Sequence, residues 1–137
     1  MDAAIVPNFI IVDTHYRKLP DLLVGDVSGF AASHEYAAIN DPERDRPEPV
    51  FAALVRFCIR LHKQEMAGPL PWRDRATLQQ IHGVFELVAR DDIASRKLTL
   101  VTAMFDALAE DEGWSVLPGL KKRFGPCTRH FFNLWIM

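Results

Sequence analysis

Cys58 and His62 stand four residues apart in the segment FAALVRFCIRLHKQEM, Phe51 to Met66. On a helix this spacing brings a thiol and an imidazole to one side, where both can ligate one zinc ion. Zinc requires at least a third protein ligand. His15, His34, His82 and His130 are scattered, and no second Cys or His pair has ligand spacing. The expectation is therefore a buried thiol beside a core imidazole that pairs with a backbone carbonyl, with no metal and no cofactor. An enzyme or metal site near His62 and Cys58 is the alternative. An imidazole in an apolar face must be neutral or have a partner.

Nucleophilic catalysis has few candidates. Ser28, Ser33 and Cys127, with Asp13, His15 and His34 as possible bases and orienters, form no nucleophile elbow G-x-S-x-G. Ser33 and His34 are adjacent and would diverge on a helix. Phosphate-loop, dinucleotide and zincin patterns are absent. The carboxylates of Asp91 and Asp92 are expected to cap a helix boundary rather than to do acid and base work. The protein is read as non-enzymatic.

The charge pattern is more distinctive. Glu110, Asp111 and Glu112 load negative charge onto the C-terminal end of a helix, where the dipole is already negative. Beyond Gly113 come Lys121, Lys122, Arg123 and Arg129 with no acidic residue. The two clusters are expected to face one another across the turn from Trp114 to Gly119. Alternatively they are separate surfaces for a charged partner, with Trp114 beside them. Stacking of bases on Trp114, Phe124, Phe131 and Trp135 would suit nucleic acid. Four cations in a chain of net charge −2 argue against that partner. A helix-turn-helix over Thr77 to Met104 fails for a similar reason, because Asp91 and Asp92 at its turn would repel phosphate.

These residues need elements to position them. At 137 residues, with 49% hydrophobic and 25% charged residues, the chain has the size and composition of one soluble globular domain, residues 1–137. Phe51 to Met66 is the organising helix. Phe51, Leu54, Val55, Cys58, Leu61 and His62 share a side that Phe57, Ile59 and Met66 widen, leaving Arg56, Arg60, Lys63 and Gln64 as a narrow polar stripe. Gly68, Pro69 and Pro71 stop it. Asp74 is expected to cap a second long helix to Arg90, striped by Leu78, Ile81, Val84, Phe85 and Val88. A third runs from Ser95 to Glu112.

Around this mainly α, antiparallel bundle the ends are shorter. The run Phe9 to Val12 leans towards an extended segment, and Lys18 to Gly29 is punctuated as turns around a short element. Phe30 to Asn40 reads as a short helix with Ser28 as its cap and Phe30, His34, Ala37, Tyr36 and Ile39 inward. Asp41 to Pro49 is a loop, because its prolines forbid regular structure. In the last quarter, Leu120 to Phe124 is a turn or two of helix, and HFFNLWIM fits a strand or a final helix starting near Pro126, with the helix preferred. Trp72 and the terminal aromatics are expected to plug the core, with an interface as the alternative.

The N-terminus carries no secretory signal and no apolar run reaches a membrane span, so the setting is expected to be cytoplasmic with no membrane partner. Taken together, the chain reads as a small protein-binding module such as a bacterial adaptor, inhibitor or immunity-type protein. Its partner is another protein or a second copy in a homodimer, met through Glu110, Asp111, Glu112, Trp114, Lys121, Lys122, Arg123 and Arg129.

Overall fold

The computed structural model describes residues 19–90, 102 and 104–136, which are mainly helical with no strand among them. The organising helix is longer than the apolar pattern alone requires. It is preceded by α1 (Leu19–Asp26) and the single turn α2 (His34–Ala37), and as α3 it runs Pro47–Ala67. Two prolines fit in its first turn because the amides they lack would have no partner there, and Glu48 places an acid at the positive end of its dipole. At the other end the Gly68 N–H donates to the Gln64 carbonyl at 3.1 Å. Pro69 and Pro71 then prevent continuation.

The wide apolar side of α3 is buried as the periodicity implies. Phe51, Leu54, Val55, Phe57, Cys58, Ile59, Leu61 and His62 are all in the core. Met66 departs from the expectation and is 65% exposed. It lies in the final turn, one residue before the end of the helix. On its other sides α3 packs against α1, α2 and α4 (Trp72–Ala89). It also meets a 3-10 segment, Glu110–Val116, and the short helix α5 (Leu117–Arg123). Burial on more than one side is thus the physical meaning of its composition.

α4 carries the expected stripe, with Leu78, Ile81, Phe85 and Val88 buried and Val84 partly so. It starts earlier than the Asp74 cap implies. Pro71 occupies the cap position without a side-chain hydrogen bond, and Asp74 instead lies inside the first turn, where its charge still favours the dipole. The last helix, α6 (Pro126–Ile136), packs on α4 and buries Thr128 and Phe132. The terminal segment is therefore helix, as expected.

Before α3 the chain is more ordered than its punctuation suggests. Residues 19–26 form α1, with Pro20 tolerated in the first turn and Leu19 and Leu23 buried. Gly29 has φ 79°, a conformation costly for other residues, and the reversal it permits brings Phe30 fully into the core. The cap of α2 is Ser33 rather than Ser28, its hydroxyl accepting from the Tyr36 N–H at 3.2 Å and donating to the Phe30 carbonyl at 2.6 Å. His34 and Ala37 are exposed because α2 is only one turn long. Asp41–Glu43 adds a 3-10 turn within the expected loop.

Residues 104–109 are helical, in keeping with the end of the third predicted helix. The rest of Ser95 to Glu112 up to 101, the turn at Asp91 to Ile93 and the run Phe9 to Val12 lie outside the described residues. Among the described residues no helix is long and apolar enough to cross a membrane.

Candidate functional site

The residues with chemical potential meet where α3 faces α4. Four-residue spacing on α3 brings Cys58 and His62 to the same inward side, and α4 adds His82, which sits on the stripe four residues after Leu78 and three before Phe85. All three side chains are buried. His62 Nε2 lies 3.1 Å from His82 Nε2, and Cys58 Sγ lies 3.9 Å from the same His82 nitrogen. The imidazole rings meet edge to face, with Phe85 and Phe124 against His82. Gly119 of α5 lies over His62, where an added Cβ would sit 3.6 Å from Nδ1 in ordinary contact.

On the outer side of His62, Nδ1 is 3.6 Å from Glu65 Oε1, and Arg123 donates to Glu65 Oε2 at 2.6 Å. The facing carboxylate favours the proton on His62 Nδ1, which leaves Nε2 as an acceptor for His82 Nε2–H. His82 Nδ1 then points a bare lone pair into the core, and it is buried with no hydrogen-bond partner among the described residues. An imidazole rather than a carbonyl is thus the partner of His62.

Burial sets the protonation of the cluster. Desolvation pulls His62 down to about 4, although Glu65 pulls the other way and Arg123 adds to the fall. Desolvation also pulls His82 down to about 3, helped by the charges of His62 and Arg123. The Cys58 thiol is pushed far above its ordinary value, chiefly by desolvation. At neutral pH the three groups are uncharged. A protonated thiol and two neutral imidazoles without solvent access make a poor nucleophile and base pair.

The charged residues have a different arrangement from the one expected. Of the acidic cluster only the Glu110 side chain is among those described. Glu110 instead accepts from Arg56 at 3.0 and 3.3 Å, and Arg123 binds Glu65, so each is tied to the polar stripe of α3. Arg60 completes that stripe with a two-point bond to Glu35 at 2.7 and 3.0 Å while lying over Phe57. The narrow polar face of α3 is a set of ion pairs that hold α2, the 3-10 segment and α5 to the scaffold.

Of the other sequence candidates, Lys121 and Lys122 are exposed, and Arg129 donates to the Lys121 carbonyl at 3.3 Å. Trp114 is 44% exposed and stacks on Phe105. The side chains of Asp111 and Glu112 lie outside the described residues. Trp72, expected in the core, is 67% exposed at the first position of α4, with the Arg73 guanidinium 5.5 Å over its ring. Ser33 is a cap, and Cys127 is half-buried with its amide donating to the Glu86 carboxylate at 2.9 Å.

Two features had signals that isolated motifs do not convey. His82 occupies an inward register on α4, so the register of both helices together would have joined it to His62. Glu86, one turn later, accepts from the Cys127 and Thr128 amides, both at 2.9 Å, and from the Thr128 hydroxyl at 2.8 Å. It is the cap of α6, supplied from another helix. The chain matches no protein-family model, no curated protein and no solved structure.

Proposed function

We propose that this protein is a small cytoplasmic, non-enzymatic protein-binding module whose contact surface is the corner between α3 and α4. The observation that supports this reading is the exposure of Met66 and Trp72, 65% and 67%, at the two ends of residues 68–71. Tryptophan, arginine and methionine are the side chains enriched where proteins meet, and here Arg73 lies over the Trp72 ring. Beside them Gln64, Arg73, Asp74 and Thr77 help to line an open cleft of about 430 Å³. An apolar side chain flanked by an acidic one on the partner would cover the indole and meet the guanidinium.

The charged surface centred on Glu110 to Arg129 has a reduced role in this reading, because Glu110 and Arg123 already serve the scaffold. The same pairing leaves fewer cations for a nucleic-acid backbone. Affinity capture should compare the wild type with the Met66→Ala, Trp72→Ala double variant and with Leu87→Ala, a similarly exposed apolar residue elsewhere on α4. The expected result is a partner retained by Leu87→Ala and lost by the double variant. Equal retention by all three would refute the assignment.

A further inference from the structure

Imidazole to imidazole hydrogen bonding accounts for only part of the buried cluster. His82 Nε2 faces His62 Nε2 at 3.1 Å and Cys58 Sγ at 3.9 Å at once, although a ring nitrogen offers one proton or one lone pair. Such convergence is what donors around one ion require. Metal to nitrogen and metal to sulfur bonds of about 2.0 and 2.3 Å put neighbouring ligand atoms roughly 3.3 to 3.7 Å apart. All three donor atoms here lie within 4.8 Å of one another.

We infer that Cys58, His62 and His82 form a three-donor site for one thiophilic metal ion, Cu⁺ in preference to Zn²⁺. One thiolate and two imidazoles are soft and borderline ligands of the kind that both ions accept. The choice between them follows from charge and coordination number. No fourth Cys, His, Asp or Glu joins the cluster among the described residues, whereas zinc favours four ligands. Cu⁺ with one thiolate is neutral, and the nearby Glu65 and Arg123 cancel each other. Zn²⁺ would leave a net positive charge in the core, where charge is costly.

Loading balances simply. Cu⁺ replaces the Cys58 thiol proton, which leaves to solvent, and no electron is transferred. His82 moves its proton from Nε2 to Nδ1, so that both Nε2 lone pairs face the ion. Glu65 stands behind His62 Nδ1, held by Arg123, in the place from which a carboxylate orients a ligating imidazole. It is a positioning residue. The site is independent of the α3–α4 corner, so neither proposal fails with the other.

The test is anaerobic titration of the full chain with Cu⁺, and separately with Zn²⁺, against a chromophoric chelator. Wild type and Cys127→Ser should each bind one equivalent of Cu⁺ more tightly than Zn²⁺. Cys58→Ser and His82→Phe should lose this binding while circular dichroism reports an unchanged helical fold. Glu65→Gln should weaken it by roughly tenfold to a hundredfold. Failure of the wild type to bind one equivalent would overturn the site. So would unchanged binding in folded Cys58→Ser, and tighter binding of Zn²⁺ would overturn the choice of ion.

Discussion

Replacing Glu86 by alanine removes the group on which the first turn of α6 is built. Its carboxylate accepts from two backbone amides and one hydroxyl, at 2.9, 2.9 and 2.8 Å. Loss of a helix cap costs about 0.5–2 kcal/mol, since the freed amides regain some water. Thr128 is buried, so its orphaned hydroxyl adds roughly 1–3 kcal/mol. A total of about 1.5–5 kcal/mol should lower the melting temperature by roughly 5–15 °C in a chain of this size. Gly125→Ala should act in the same direction, because a Cβ there would come within 2.5 Å of Glu86 Oε1 and drive the carboxylate off the cap. In the Glu86→Ala background the Gly125 substitution should cost less.

The pH dependence gives an independent reading of the same contact. Burial pushes the Glu86 carboxyl up, but the hydrogen bonds from Cys127 and Thr128 outweigh it and hold the group at about 2, against an ordinary 4.5. A depressed folded value means that the unfolded chain takes up the proton first. The stability from Glu86 is therefore present above pH 4.5 and lost as pH falls from there towards 2. Thermal melts of wild type and Glu86→Gln should converge across that window. A melting shift in Glu86→Ala below about 2 °C, too small for even one such hydrogen bond, would rule out Glu86 as the cap of α6, as would a gap to Glu86→Gln that does not change with pH.

Other consequences are simpler to measure. In the native metal-free protein a disulfide thiol reagent should modify half-buried Cys127 readily and Cys58 only on unfolding; fast reaction of Cys58 would contradict its burial. A double-mutant cycle on Arg60 and Glu35 should give a coupling of about 1–2 kcal/mol, because the pair is two-pronged and Glu35 is nearly buried. The same cycle on Arg44 and exposed Asp41 should give less than about 0.5 kcal/mol, and equal couplings would count against this distinction. Leu54→Ala should cost about 2–5 kcal/mol in denaturant unfolding, and Leu87→Ala no more than about 0.5 kcal/mol.

The parts of the fold legible in the sequence are those governed by a local period. α3 and α4 announce themselves through apolar spacing and proline or glycine punctuation, whereas the short apolar run of α6 fits helix or strand alike, and the apolar residues from Phe51 to His62 are buried as their spacing implies. α1 was harder to see, since Pro20 and Gly25 read as turns although the first lies in a helical first turn and the second near an end. Exposure at helix ends is likewise not set by local spacing. Met66 and Trp72 continue apolar patterns, but they flank the break between α3 and α4 and both are mostly exposed.

The candidate site was half legible for the same physical reason. Cys58 and His62 share one helix, so four-residue spacing identifies them together. His82 comes from a second helix, and its place depends on how α3 and α4 slide and rotate against each other, which no local pattern encodes. Ion pairing followed the same rule. Glu110 and Arg123 find Arg56 and Glu65, residues more than fifty positions earlier, in preference to the charges nearer in sequence.

In the proposed function α3 is scaffold and recognition occurs at its corner with α4. Affinity capture with the Met66→Ala, Trp72→Ala variant, after its melting temperature is shown to match wild type, tests this most directly. Loss of the partner with Leu87→Ala still competent is the predicted result. A partner held equally well by the folded double variant would contradict it.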